Sequence, residues 1–157
     1  MPIIRDENKR KEIVGLLTQA YWMEIETVMS YIANSVNLDG VRAEEIKSSL
    51  QSDITAELGH AQLFAKRIKE LYGLTPGSME FKATQRFLQP PKDTTDVVTV
   101  IKGVIEAEQG AIDHYTKIIE ACEGVDYVTA DMMTQILKDE EGHMREFEGF
   151  LKEYEKQ

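Results

Sequence analysis

Cysteine is almost missing from this chain of 157 residues. Cys122 stands alone, which excludes an internal disulfide framework and any cysteine cluster for zinc or iron–sulfur binding. Basic residues are also scarce. Eighteen Lys and Arg face 28 Asp and Glu, a net charge of −10 with no basic tail, so direct nucleic-acid binding is not expected of a surface that would repel a phosphate backbone. No run approaches the roughly 20 apolar residues of a membrane span, and the N-terminal MPIIRDENKRK lacks the apolar stretch of a signal peptide. A soluble, cytoplasmic protein with no membrane partner is expected.

What remains is helical patterning in one domain, residues 1–157. Apolar residues recur at helical spacing in four long segments, separated by breaks that hold glycine and proline. The spacing predicts helices from about Asp6 to Asn37, from Arg42 to Tyr72 with Gly73 as the terminating residue, from Thr95 to Cys122, and from a Thr129 N-cap to Glu155. Short links make the first two helices antiparallel neighbours, and likewise the last two. The middle connection exceeds 20 residues, contains Pro90 and Pro91, and has room for a short helix within Ser78–Phe87. It is long enough to cross the length of a bundle, so the predicted fold is an all-α, antiparallel four-helix bundle with one long crossover between helices 2 and 3.

A polar pattern repeats between the two halves. Glu24 and Tyr31 recur 84 positions later as Glu108 and Tyr115, while Glu57-Leu-Gly-His60 recurs 83 positions later as Glu140-Glu-Gly-His143. Periodicity says which glutamates face inward. Glu108 interrupts the stripe Val97, Ile101, Val104, Ala111, Tyr115, Ile118, whereas Glu106 shares a polar face with Lys102, Gly103, Asp113 and Lys117. The same reasoning selects Glu24 over Glu26 and Glu140 over Glu141, and it puts Glu57 on the core stripe of the second helix. Four carboxylates in a core need cations among them, because two unit charges about 4 Å apart repel by about 4 kcal/mol even at an effective dielectric near 20. Two divalent ions supply that charge. An i, i+3 Glu and His pair reaches one cluster from one helical face, and mixed oxygen and imidazole donors suit iron, manganese or zinc better than copper(I) or calcium.

At these residues the sequence resembles the ferritin superfamily, most closely the bacterioferritins and the Dps-like proteins with a bacterioferritin-type site. One Glu from each of two helices and a Glu-x-x-His from each of the others is the ligand pattern of ferritin-like di-metal bundles. The segments Asp126-Tyr-Val-Thr-Ala-Asp-Met-Met and Ile136-Leu-Lys-Asp-Glu-Glu-Gly-His143 add to the likeness. The resemblance implies two iron ions bridged by Glu57 and Glu140, with Glu24, His60, Glu108 and His143 as terminal ligands. It also implies Fe(II) oxidation by O2 or H2O2, and iron storage. Asp139 matches a family position that orients a ligand histidine through its second nitrogen, with Ala56 at the equivalent place before Glu57. Tyr31 and Tyr115 are expected to hydrogen-bond the ligands, a bound peroxide, or other core groups.

The same comparison bounds the rest. Leu58 stands where bacterioferritins carry their haem-binding methionine, so no haem is expected by that route. Fourteen residues follow His143, too few for the short fifth helix of the 24-subunit cages, which favours a homo-oligomeric twelve-subunit cage. A second apolar face of helix 1, formed by Trp22, Ile25, Met29 and Ile32, is expected at a subunit interface or under the crossover. Asp53 is expected to be a hydrogen-bonded surface residue or a guide for entering iron, and His114 has no ligand role. Alternative readings are a rubrerythrin-like di-iron peroxidase without mineral storage, and a shell that protects DNA physically.

Overall fold

The computed structural model describes residues 3–156, which form four long helices and, among the described residues, no strand. Helix α1 spans Glu7–Asn37, α2 Glu44–Glu70, α3 Val97–Cys122 and α4 Tyr127–Tyr154, with single turns of 3₁₀ helix at Val41–Ala43 and Ser78–Glu80. The expected four-helix architecture is what is observed. The short crossover helix shrinks to that one turn at Ser78–Glu80, and the remainder of the crossover is irregular chain lying on α1 and α3.

Helix ends follow from local chemistry. Asp6, Asp96 and Asp126 each accept a hydrogen bond from the backbone N–H three residues on, satisfying a donor that the first turn leaves free. The cap of α4 is therefore Asp126, not Thr129. Thr129 lies inside the helix, where both its N–H and its hydroxyl donate to the Asp126 carboxylate. At the end of α2 the left-handed residue is Tyr72 (φ 68°), with the Gly73 N–H donating to the Ile68 carbonyl at 2.9 Å. Gly73 matters for space instead, since a Cβ there would lie 2.7 Å from Val14 Cγ1.

Contacts at the ends fix the helix directions. Arg10 near the start of α1 donates to the Leu71 carbonyl past the end of α2, and Arg67 near the end of α2 pairs with Asp126 at the start of α4 at 2.9 Å. α1 packs along α2, α3 along α4, and α1 against α3. His114 contributes to the last contact, with Nε2 2.9 Å from the Leu16 carbonyl. Its ring, with no part in the expected ligand set, is buried between these two helices.

The apolar core is divided in two. One cluster gathers Ile13, Leu17, Phe64, Ile68, Tyr115, Ile118 and Met133; the other gathers Tyr31, Ile46, Leu50, Val97, Ile101, Val104 and Phe147. Between them lies a layer of buried carboxylates and imidazoles. The crossover is fastened over α1 and α3. Asn34 donates to the Leu88 carbonyl, and Gly103 sits so close to the crossover that a Cβ would lie 2.6 Å from the Phe87 carbonyl oxygen. Gly103 is thus buried rather than part of the wet face, while Glu106 and Glu141 are exposed as expected.

Candidate metal centre

Each long helix brings one glutamate into the polar layer. Glu24, Glu57, Glu108 and Glu140 are each 1% exposed, and one turn beyond Glu57 and Glu140 the helices present His60 and His143 to the same layer. The donors form two overlapping groups. Glu24, Glu57, His60 and Glu140 offer atoms all within 4.8 Å of one another, as do Glu57, Glu108, Glu140 and His143. Glu57 and Glu140 belong to both.

The histidines are arranged alike. His60 Nδ1 lies 3.0 Å from Glu140 and 3.8 Å from Glu24; His143 Nδ1 lies 3.2 Å from Glu57 and 3.7 Å from Glu108. Each ring turns its other nitrogen outward to an aspartate across the bundle. His60 Nε2 is 2.9 Å from Asp139, and His143 Nε2 is 3.4 Å from Asp53. A carboxylate on Nε2 holds that nitrogen protonated and leaves the Nδ1 lone pair for the centre. Sequence reasoning found Asp139 but left the second histidine unsupported, because the repeat pointed to Ala56. Asp53 takes the part instead. It is 7% exposed, one turn before Glu57 on the same face, and is not a surface residue.

The tyrosines cross over between helices. Tyr31 on α1 donates to Glu108 Oε1 at 2.9 Å, and Tyr115 on α3 donates to Glu24 Oε1. Of the expected alternatives, the hydroxyls take the carboxylates as partners. Each phenol is held well above its usual range, first by burial and then by the adjacent carboxylate, so it stays a proton donor.

Electrostatics mark the layer as short of positive charge. Burial, then the neighbouring carboxylates, push Glu57 well up; burial and Glu140 push Glu108 the same way. Burial alone would lower both imidazoles, but the carboxylates opposite outweigh it and hold His60 up to about 11 and His143 to about 9. Asp53 rises to about 6, chiefly from burial, with His143 opposing. One buried atom from each of the six central residues has no hydrogen-bond partner: Glu24 Oε2, Glu57 Oε1, His60 Nδ1, Glu108 Oε2, Glu140 Oε1 and His143 Nδ1. Six orphaned donors of mixed oxygen and imidazole type facing one layer fit two divalent ions of the iron, manganese or zinc kind.

Glu26, assigned to a polar face, is also buried, but away from the centre. Its carboxylate accepts the backbone N–H of Thr84 at 2.9 Å and of Gln85 at 2.6 Å, pinning the crossover to α1. No sequence signal announces partners 58 and 59 positions distant in an aperiodic segment.

The profile of the ferritin-like domain matches residues 14–156. The chain belongs to the ferritin-like family. A bacterioferritin of Desulfovibrio desulfuricans is 27% identical to this ferritin-like chain over 144 residues, spanning 90% of it and 75% of the relative. A DNA protection during starvation protein of Pyrococcus furiosus is 29% identical over 144 residues, spanning 90% and 77%. Among solved structures, the dodecameric thioferritin of Bacteroides fragilis, a bacterioferritin-related protein, superposes with a TM-score of 0.81 at 25% identity, covering 92% of the ferritin-like chain and 87% of the other.

Proposed function

We propose that this chain is a ferroxidase that oxidises Fe(II) and stores the product, with the polar layer as its di-iron centre. The observation that carries the reading is the pair of overlapping donor groups with Glu57 and Glu140 common to both. These two would bridge the ions, with Glu24 and His60 completing one end and Glu108 and His143 the other. When bound, two ferrous ions supply one electron each to O2, which leaves with two protons as H2O2, or to H2O2, which leaves with two protons as two waters. The protein's part is positional. Asp139 and Asp53 keep the imidazoles turned inward, Tyr31 and Tyr115 fix the outer carboxylate oxygens, and the two apolar clusters keep bulk water from the layer.

Storage needs an enclosure, and we assign the chain to a homo-oligomeric cage of twelve subunits. Support comes from the dodecameric relative and from α1, where Met29, Ile32 and Val36 are 59%, 48% and 71% exposed on an apolar face. Leu58 offers no donor to a haem iron, so haem has no part in the proposal. No helix of the described residues is long and apolar enough to cross a membrane, and the proposed location is the cytoplasm.

The test is stopped-flow oxidation after anaerobic loading with Fe(II). Glu57→Ala and Glu140→Ala are each expected to abolish the rapid phase, and retention of that phase in either variant would refute the centre. Iron kept after aerobic loading then separates storage, at mineral scale, from a peroxidase that keeps a few ions per chain.

A further inference from the structure

The polar layer has unlike surroundings on its two sides. Toward α2 and α4, the partly exposed His143 faces Asp53, whose carboxylate in turn feels Glu146, and the half-exposed Asp139 faces His60 from the same pair of helices, so an approaching cation meets carboxylates. Toward α1 and α3 the chemistry differs. A cleft of about 200 Å³ opens there beneath the crossover, with Gln19, Trp22, Lys82 and Phe87 among its walls. Its one carboxylate, Glu26, is already engaged by the Thr84 and Gln85 amides.

Met23, Gln85 and Ala107 line this cleft and also a second cavity of about 10 Å³, whose walls include Glu24, Glu57, Glu108 and Glu140. That inner space suits one water-sized molecule. Met23, Gln85 and Ala107 thus form a wall common to the cleft and the inner cavity, and Gln85 is its polar side chain. Gln85 is 6% exposed, and its Nε2 donates to Thr27 Oγ1 at 2.8 Å and to the Met23 carbonyl at 3.4 Å, while its Oε1 has no partner. An unpartnered amide oxygen in a buried throat is an acceptor available to a transient visitor.

We propose that this cleft admits the neutral oxidant, O2 or H2O2, and that Gln85, held in place by Glu26, is the constriction it must pass. Ferrous iron and oxidant then reach the centre from opposite sides. Dioxygen sheds little hydration on entering a throat of Met23, Ala107 and Ala111, and peroxide can donate a hydrogen bond to Gln85 Oε1. A hydrated divalent cation would lose its water there and meet Lys82 at the entrance.

This inference rests on the ferroxidase reading, and the test separates the two. Protein loaded anaerobically with Fe(II) is mixed with rising concentrations of O2 or of H2O2, and the second-order rate constant for oxidation is read. Gln85→Ala, which opens the throat, is expected to raise it about threefold or more, and Ala107→Leu, which narrows it, to lower it by a similar factor. Co(II) titrations followed by absorbance are expected to match wild type in both. An unchanged rate constant in Gln85→Ala overturns the route, even if Ala107→Leu fails to fold. So does a change that merely follows lost Co(II) binding. Absence of rapid oxidation in the wild type would instead remove the ferroxidase reading itself.

Discussion

The two ends of the metal layer are built from the same donors but held differently from outside. At one end His60 leans on Asp139, whose side chain is 54% exposed; at the other His143 leans on Asp53, which is buried and has a second oxygen without a partner. The inner donors follow the internal repeat and the outer ones do not. Asp139 precedes Glu140 by one residue, whereas Asp53 precedes Glu57 by four; the repeat-equivalent of Asp139 is Ala56, and that of Asp53 is Ile136. Inner residues must converge on a shared pair of positions, so both halves are bound to one geometry. An outer carboxylate need only reach one nitrogen, which several helix positions can do.

The largest expected effect comes from removing the outer carboxylates. Loss of such support typically weakens metal affinity on the order of 10–100-fold. Asp53→Asn is expected in that range for the ion at the His143 end, because its carboxylate is shielded from water. Asp139→Asn, at an exposed position, should cost the His60 end distinctly less. Co(II) binding by calorimetry reads both, and equal losses would erase the distinction between the ends.

A pH dependence comes next. Folding raises the pKa of His143 from 6.5 to about 9 and of His60 to about 11, so each imidazole adds stability in full below pH 6.5. That contribution is lost as pH rises through the folded value, His143 first. Glu57 and Glu108, also raised, act in the same direction, since the fold favours their protonated forms. The Tm of chelator-treated protein should therefore fall between pH 6.5 and 9, with a similarly reduced slope in His143→Ala and in His60→Ala; above pH 9 the fall should continue in His143→Ala, where His60 still holds its proton up to about 11, and flatten in His60→Ala. Metal-loaded protein should be flatter, the ions having displaced the protons. A Tm that rises over this interval would contradict the assignment.

The smallest effect should be the most symmetrical. Tyr31→Phe and Tyr115→Phe each delete one hydrogen bond to a carboxylate, and each is expected to destabilise the fold by about 1 kcal/mol in urea unfolding, with matching values. Unequal costs would show that the ends differ inside as well as outside.

The helices and the inward glutamates were legible because they obey a period. Glu108 breaks an apolar stripe and Glu106 does not, and that contrast needs no knowledge of the partner helices. What escaped depends on long-range partners. Glu26 is buried by crossover amides that follow no period, and Gly103 is covered by the Phe87 carbonyl of the same segment. Asp53 was within reach, lying one turn from Glu57 on the core stripe beside Leu50 and Ile46. The inner repeat drew attention to Ala56, and symmetry misled where only reach was required. Thr129 has the composition of a good cap, but Asp126, three residues earlier, competes better and enlists Thr129 as its donor.

The crossed tyrosines carry a further consequence. Each phenol braces a glutamate of the opposite half, and each imidazole leans on an aspartate from the opposite half, so neither half can complete its own surroundings. In chemical terms each helix pair is a monomer of a two-part centre, and residues 71–96 are the tether that turns a pairing between molecules into one within a molecule. Cutting that tether would make the affinity of the two parts measurable, and filling the centre with metal should tighten their association by the linkage between binding and assembly.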